Sequence, residues 1–111
     1  MSAFLRPPEW VDRLAKLYTP VVADVLDKLG FRNQAMQPRI RPLWPEAKAA
    51  GFALTVQTVP AREVAPAHPY AGELAAVDSL QPGDVLVVSE SAWSFWGELL
   101  STAANYRGCR G

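Results

Sequence analysis

One cysteine, one histidine and no excess of charge of either sign set the first limits on this 111-residue chain. Cys109 has no partner for an internal disulfide, which fits a reducing cytosol, and there is no Cys-x-x-Cys pair for zinc. His68 stands alone in a proline-rich stretch, without the second histidine or nearby cysteine of a metal site, and reads as a surface residue. Eleven basic residues balance eleven acidic ones. No positive field is available to hold a nucleic-acid backbone, and no charge run suits a membrane surface. No apolar run approaches a transmembrane span and the N-terminus lacks a signal-peptide core, so a cytoplasmic protein is expected. A P-loop, a Gly-x-Gly-x-x-Gly and a His-Glu-x-x-His are all missing. Ser89, Ser91 and Ser94 lack a Gly-x-Ser-x-Gly turn, with only His68 to serve as base.

What is present is apolar: half of the residues, enough for one domain over 1–111 with a modest core. Ten prolines punctuate it. Residues 1–7 read as a loose arm. Pro8 then opens a helix whose Trp10, Val11, Leu14, Leu17 and Tyr18 share a face. Thr19 is expected to cap a second helix with Pro20 at its first position, Val21, Val22, Val25, Leu26 and Leu29 as its buried stripe, and Gly30 at its end. Asp24 and Asp27 lie toward the other side, as a solvated face. Residues 39–44 suggest a short edge strand, because Pro42 could not donate to a central ladder. Residues 51–59 alternate as a strand does, and 60–72 form a long loop. Residues 73–80 read as a short helix with Leu74, Val77 and Leu80 inward. Gln81-Pro82-Gly83-Asp84 has Pro and Gly where a type II turn needs them. Helices followed by strands mixed with short helices predict an α/β or α+β layered domain.

The stretch from Asp84 onward organises the rest. Asp84-Val85-Leu86-Val87-Val88 is an unbroken apolar run rich in β-branched residues, as a buried strand would be. Residues 89–96 make a polar and aromatic loop. Trp93, Phe95 and Trp96 would either cap the core or bury against another subunit, the second slightly favoured by their closeness. Residues 97–108 read as one helix, with Leu99, Leu100, Ala103 and Ala104 on a face and Gly108 closing it. A helix that opens after a strand leaves unpaired amides at its start. Without a side chain at Gly97, a small anion could approach the amides of Gly97, Glu98, Leu99 and Leu100. Many strand–helix turns carry a glycine and bind nothing, so this signal is weak alone. Glu90 and Glu98 flank the loop and could pair, although solvated glutamates are the commoner case.

Four segments together resemble a known family. They are Thr19-Pro20-Val21-Val22-Ala23-Asp24-Val25-Leu26-Asp27-Lys28-Leu29-Gly30, Ala50-Gly51-Phe52-Ala53, Gln81-Pro82-Gly83-Asp84-Val85-Leu86-Val87-Val88, and Trp96-Gly97-Glu98-Leu99-Leu100-Ser101-Thr102-Ala103-Ala104 with Arg107-Gly108. In this order they look like the RraA-like family, which holds the regulator of ribonuclease activity A and the 4-hydroxy-4-methyl-2-oxoglutarate aldolases. The resemblance implies a swivelling β/β/α fold assembled as homotrimers or hexamers, with active sites between subunits. In the aldolase branch the amides matching Gly97, Glu98, Leu99 and Leu100 hold the carboxylate of pyruvate. The acid matching Glu98 helps place a divalent metal, such as magnesium, through water. The implied chemistry is retro-aldol cleavage and a related decarboxylation of oxaloacetate.

The family continues with a further strand and an Arg-Asp pair, for substrate and metal, and no residue up to Gly111 matches them. The expectation is a fragment of the aldolase, truncated before its C-terminal strands. The alternatives are a non-catalytic regulator that binds a ribonuclease complex, or a leftover with no role of its own. With its edge strand short of a neighbour, such a piece should oligomerise or dissolve poorly. On this reading the purified chain with magnesium releases no pyruvate from a 2-oxo-4-hydroxy acid, because the main anionic metal ligand is missing. Measurable release in a coupled pyruvate assay would refute it.

Overall fold

The computed structural model describes residues 5–62 and 67–111. The chain divides into two compact units, 1–50 and 51–111. The first holds α1 (Pro8–Ala15) and α2 (Thr19–Lys28); the second holds β1 (Phe52–Val56), α3 (Ala71–Ser79), β2 (Asp84–Val88) and α4 (Glu98–Tyr106).

In the first unit, proline in the opening turn starts both helices, where its missing N–H costs nothing. Thr19 is inside α2 rather than its cap: Tyr18 takes the cap position, with no side-chain bond, and its carbonyl accepts from Val22 N–H at 3.2 Å. Gly30 ends α2 as expected. Its φ of 91° lets Phe31 N–H reach back to Leu26 O at 2.8 Å and its own N–H to Asp27 O at 3.0 Å. The two apolar faces are less buried than their periodicity suggests. On the first, only Val11 is buried; Trp10, Leu14, Leu17 and Tyr18 are exposed, the last two beyond the end of α1. On the second, Val21, Val25 and Leu29 are exposed, while Val22 and Leu26 are half-buried.

The edge strand expected over 39–44 is absent. Turns occupy that stretch instead, with Ile40 N–H bonded to Gln37 O and Arg41 Nε to Pro38 O. Prolines 38, 42 and 45 remove the donors a ladder would need. Lys48 reaches back to the turn after α1, its Nζ donating to Leu17 O at 2.8 Å.

The second unit is built on two parallel strands, registered Phe52↔Asp84 through Val56↔Val88. Parallel pairing needs a crossover, and α3 supplies it. Leu54 and Leu86, directly paired, pack with Val77 and Leu80 from the α3 end and with Leu100 and Ala104 of α4. Both helices therefore cover the same sheet face. Leu74, expected to point inward, is 54% exposed. Asp78 and Arg107 pair at 2.9 Å across the two helices, but both are exposed and such a pair contributes little.

The turn before β2 matches expectation. Gly83 has φ 90°, and Asp84 N–H donates to Gln81 O at 3.1 Å. Asp84 is 2% exposed, and its Oδ2 accepts from Gln81 N–H at 2.8 Å. After α4, Gly108 (φ 78°) closes the helix and sends the chain alongside β2. Gly83 N–H donates to Gly108 O, Arg110 N–H to Asp84 O and Leu86 N–H to Gly111 O. The partners advance together, so the last residues already follow β2 in parallel. The edge of β2, expected to lack a neighbour, is thus partly paired before Gly111.

Two glycines separate packing from backbone effects. A Cβ at Gly51 would stand 2.5 Å from Gly83 O and 2.7 Å from Val85 Cγ2, whereas one at Gly72 would meet nothing within 4 Å. Gly51→Ala should destabilise the chain by about 1–3 kcal/mol, and Gly72→Ala, within α3, should stabilise it by up to about 1 kcal/mol. Urea denaturation of the two variants measures the contrast; equal midpoints would contradict the close approach at Gly51.

Candidate active site at the opening of the fourth helix

Both strands run toward the same end, and the loops that leave them meet there. In parallel sheets this is where ligands bind. After β2, Ser89 ties the two loops together: its N–H donates to Val56 O, and its Oγ accepts from Thr58 N–H at 2.8 Å. Thr58 Oγ1 also donates to the carbonyl of Glu90 at 3.0 Å. The chain then passes through Trp93, Phe95 and Trp96 before α4 opens.

The helix begins at Glu98, with Gly97 as its N-cap rather than its first residue. The first intrahelical bond is from Ser101 N–H to Gly97 O, 3.0 Å. The amides of Glu98, Leu99 and Leu100 precede it and so have no helical acceptor, and no side chain caps them. Gly97 has φ −148° and ψ −165°, an extended conformation open to any residue, and a Cβ there would meet nothing within 4 Å. Neither backbone nor packing demands glycine. What its small size provides is open space in front of the amides.

A second set of bonds fixes this turn. Trp96 Nε1 donates to Ser101 Oγ at 2.8 Å, and Ser101 Oγ donates to Gly97 O at 2.9 Å. Glu98 turns its carboxylate down its own helix, accepting from Thr102 Oγ1 at 3.0 Å. The acid closest in sequence to the free amides is thus held by its neighbour one turn on.

Gly97, Glu98, Leu99 and Leu100, singled out in the sequence, line one cleft of about 520 Å³. Its other walls come from Tyr70, Glu73 and Leu74 at the start of α3 and from Phe95. A neighbouring groove of about 390 Å³ runs past Val56, Val88 and Trp96 and shares Glu73, Phe95 and Leu100 with it. Glu73 is half-buried between them. Nothing local in the sequence distinguishes this glutamate; only the crossover brings α3 beside α4. Glu90 lines a separate, smaller cleft with Trp93. Trp93 is 82% exposed and does not cap the core. His68 is exposed, and the part of its loop at 63–66 lies outside the described residues.

The expected divalent metal finds no ready site: among the described residues, no three His, Cys, Asp or Glu side chains come together. Glu98 alone does not suit a hard cation that takes six or more oxygens.

A strand–helix–strand–helix unit, with a cleft beside the opening of α4, defines an α/β domain. Among the described residues no helix is long and apolar enough to cross a membrane. The family model RraA-like, described as Aldolase/RraA, matches residues 19–111, and the chain belongs to that family. A solved structure described as "Crystal structure of novel cellulases from microbes associated with the gut ecosystem" is 26% identical with a TM-score of 0.81. The match covers 98% of this chain and 51% of that one, so this chain spans about half the length of the protein it resembles.

Ser101 carries a checkable consequence. Ser101→Ala removes the acceptor of Trp96 Nε1 and the donor to Gly97 O, and should cost about 0.5–1.5 kcal/mol. Tryptophan emission should change with it; an unaltered spectrum and stability would mean the bonds are not made in solution.

Proposed function

We propose that this chain carries the carboxylate-binding part of a 2-keto acid aldolase site, at the opening of α4. The observation that supports this best is an uncapped first helical turn, Glu98 to Leu100, whose residues line a cleft, in a chain of the RraA-like family. The amides of Glu98, Leu99 and Leu100 would accept the carboxylate of a pyruvate unit, helped by the positive end of the helix dipole. That grip places the keto carbon beside the same donors. In retro-aldol cleavage the bond between C3 and C4 breaks and its electron pair moves toward the C2 carbonyl oxygen. The C4 hydroxyl gives up its proton as the aldehyde or ketone forms, and protonation at C3 then yields pyruvate. Fixed donors near the developing oxyanion lower the barrier without having to reorganise. Decarboxylation of oxaloacetate passes through the same enolate and needs the same grip.

When bound, a divalent metal such as magnesium would supply Lewis-acid stabilisation of that enolate. Its ligands would have to include groups besides Glu98. The same reading carries the swivelling β/β/α arrangement, with the β1–α3–β2–α4 unit as a part, and assembly into trimers or hexamers. Leu99, 80% exposed beside the cleft, supports the second as apolar surface for a neighbouring subunit to cover.

The matched structure is described as one of cellulases. Glycoside hydrolysis needs two carboxyl groups flanking the scissile bond. Among the described residues of the cleft the carboxyl groups are Glu73 and Glu98, the latter bonded to Thr102, and nothing in their placement favours that chemistry.

Titration with pyruvate, followed by amide NMR, tests the proposal. Signals of Glu98, Leu99 and Leu100 should move together. Gly97→Val should weaken binding by about tenfold or more while costing about 1 kcal/mol or less of stability, since only the cap preference changes. Pyruvate-induced shifts confined to other elements, or full affinity in Gly97→Val, would remove α4 from the site.

A further inference from the structure

Helix α2 carries apolar side chains on two faces, and the chain itself covers only one of them. Val22, Ala23 and Leu26 are half-buried. Val21, Val25 and Leu29, four residues apart along one ridge, are 49%, 49% and 66% exposed. Asp24 and Lys28, one turn apart and also exposed, lie along one side of that ridge. Among the described residues no ion pair or side-chain hydrogen bond occupies either of them. In the first unit Val11 is the one large apolar side chain that is buried among the described residues. A helix of ten residues is too short to hold itself without packing, so a further contact on the open ridge would stabilise it. The charges beside the ridge indicate what makes that contact. When two copies of α2 lie antiparallel about a two-fold axis near Val25, Val21 of each faces Leu29 of the other. Asp24 of each then lies beside Lys28 of the other, because both are on the same side of the ridge and the two-fold reverses their order. One sequence thus supplies both halves of the ion pair, twice. With a net charge of zero, the copies meet no long-range repulsion.

We infer that the exposed ridge of α2 is a self-complementary contact between two copies of this chain, antiparallel, with Val25 near the two-fold axis and an Asp24–Lys28 pair on either side of it. The apolar ridge supplies the affinity, and the order of the charges fixes the direction. This contact is independent of the carboxylate grip at α4 and bears on the proposed assembly. A two-fold contact cannot close a three-fold ring. Acting alone it gives a dimer, and acting on trimers it joins two of them into a hexamer.

Sedimentation equilibrium of the 111-residue chain and its variants tests the contact. The wild type should hold an even number of subunits. Val25→Asp sets two carboxylates near the axis and should halve the assembly, to a monomer or a trimer. Because Val25 is half exposed, its far-UV circular dichroism should stay that of the wild type. Asp24→Lys and Lys28→Asp should each weaken the contact by about tenfold or more, on the scale of two surface ion pairs lost together and replaced by repulsion. The double variant Asp24→Lys/Lys28→Asp should recover most of that loss, since reversing both charges keeps the pairing. A monomeric or purely trimeric wild type would overturn the inference, as would an even assembly that Val25→Asp leaves whole. A double variant as weak as the single ones would do the same, because the charges would then face something other than a second α2. A chain that shifts its α4 amides with pyruvate yet stays monomeric would refute the α2 contact and leave the carboxylate grip standing.

Discussion

Much of the second unit depends on how closely the chain can pass Gly83 and Asp84. Four pieces of backbone converge there: the start of β1, the type II turn, the start of β2 and the residues that follow α4. Gly51 leaves room for the carbonyl of Gly83 to come within bonding distance of Phe52 N–H, at 3.0 Å. Gly108 packs on Pro82 with a left-handed backbone that a side chain would strain. Asp84, buried and held by Gln81 N–H, fixes the turn from the inside. A buried carboxylate is tolerated only where hydrogen bonds replace its water, and here one of them comes from the turn's own backbone. The register of the sheet follows from that meeting point.

From the register follows the site. With Phe52 opposite Asp84, Val56 lies opposite Val88, and both loops leave the sheet at one end. Ser89 and Thr58 join those loops, so the path into α4 is set before the helix begins. The helix then ends in a left-handed glycine that returns the chain to the strand it came from. The free amides are thus carried on a segment tied back to the sheet at both ends, as the proposed site would need if its donors are not to reorganise.

The parts of this arrangement that are legible in the sequence are those with a strong local cause. Proline at two helix starts, Gly30 and Gly108 at two helix ends, the Pro82-Gly83 turn and the apolar run from Asp84 each act within a few residues. The helix mouth at Gly97 is legible for the same reason. Burial is less so. Periodicity identifies which side chains share a face, but not whether anything covers it, and Val21, Val25, Leu29 and Leu74 remain exposed. The short strand expected near Pro42 does not form because three prolines remove donors that an edge position alone cannot excuse. Glu73 and Tyr70 are invisible as site residues, since their place beside α4 is created by the crossover rather than by any pattern in their own segment.

The crossover also orders events during synthesis. β1 has no strand to pair with until β2 emerges, and its bonding partners lie some thirty positions later, as the separation of 31 between Thr58 and Ser89 shows. At translation rates of about 5–20 residues per second, the first strand spends on the order of seconds outside the ribosome with its backbone groups unpaired. The polar Thr55 and Gln57 and the prolines that follow interrupt the apolar alternation over that interval. They make the waiting strand a poorer template for the nascent chains around it.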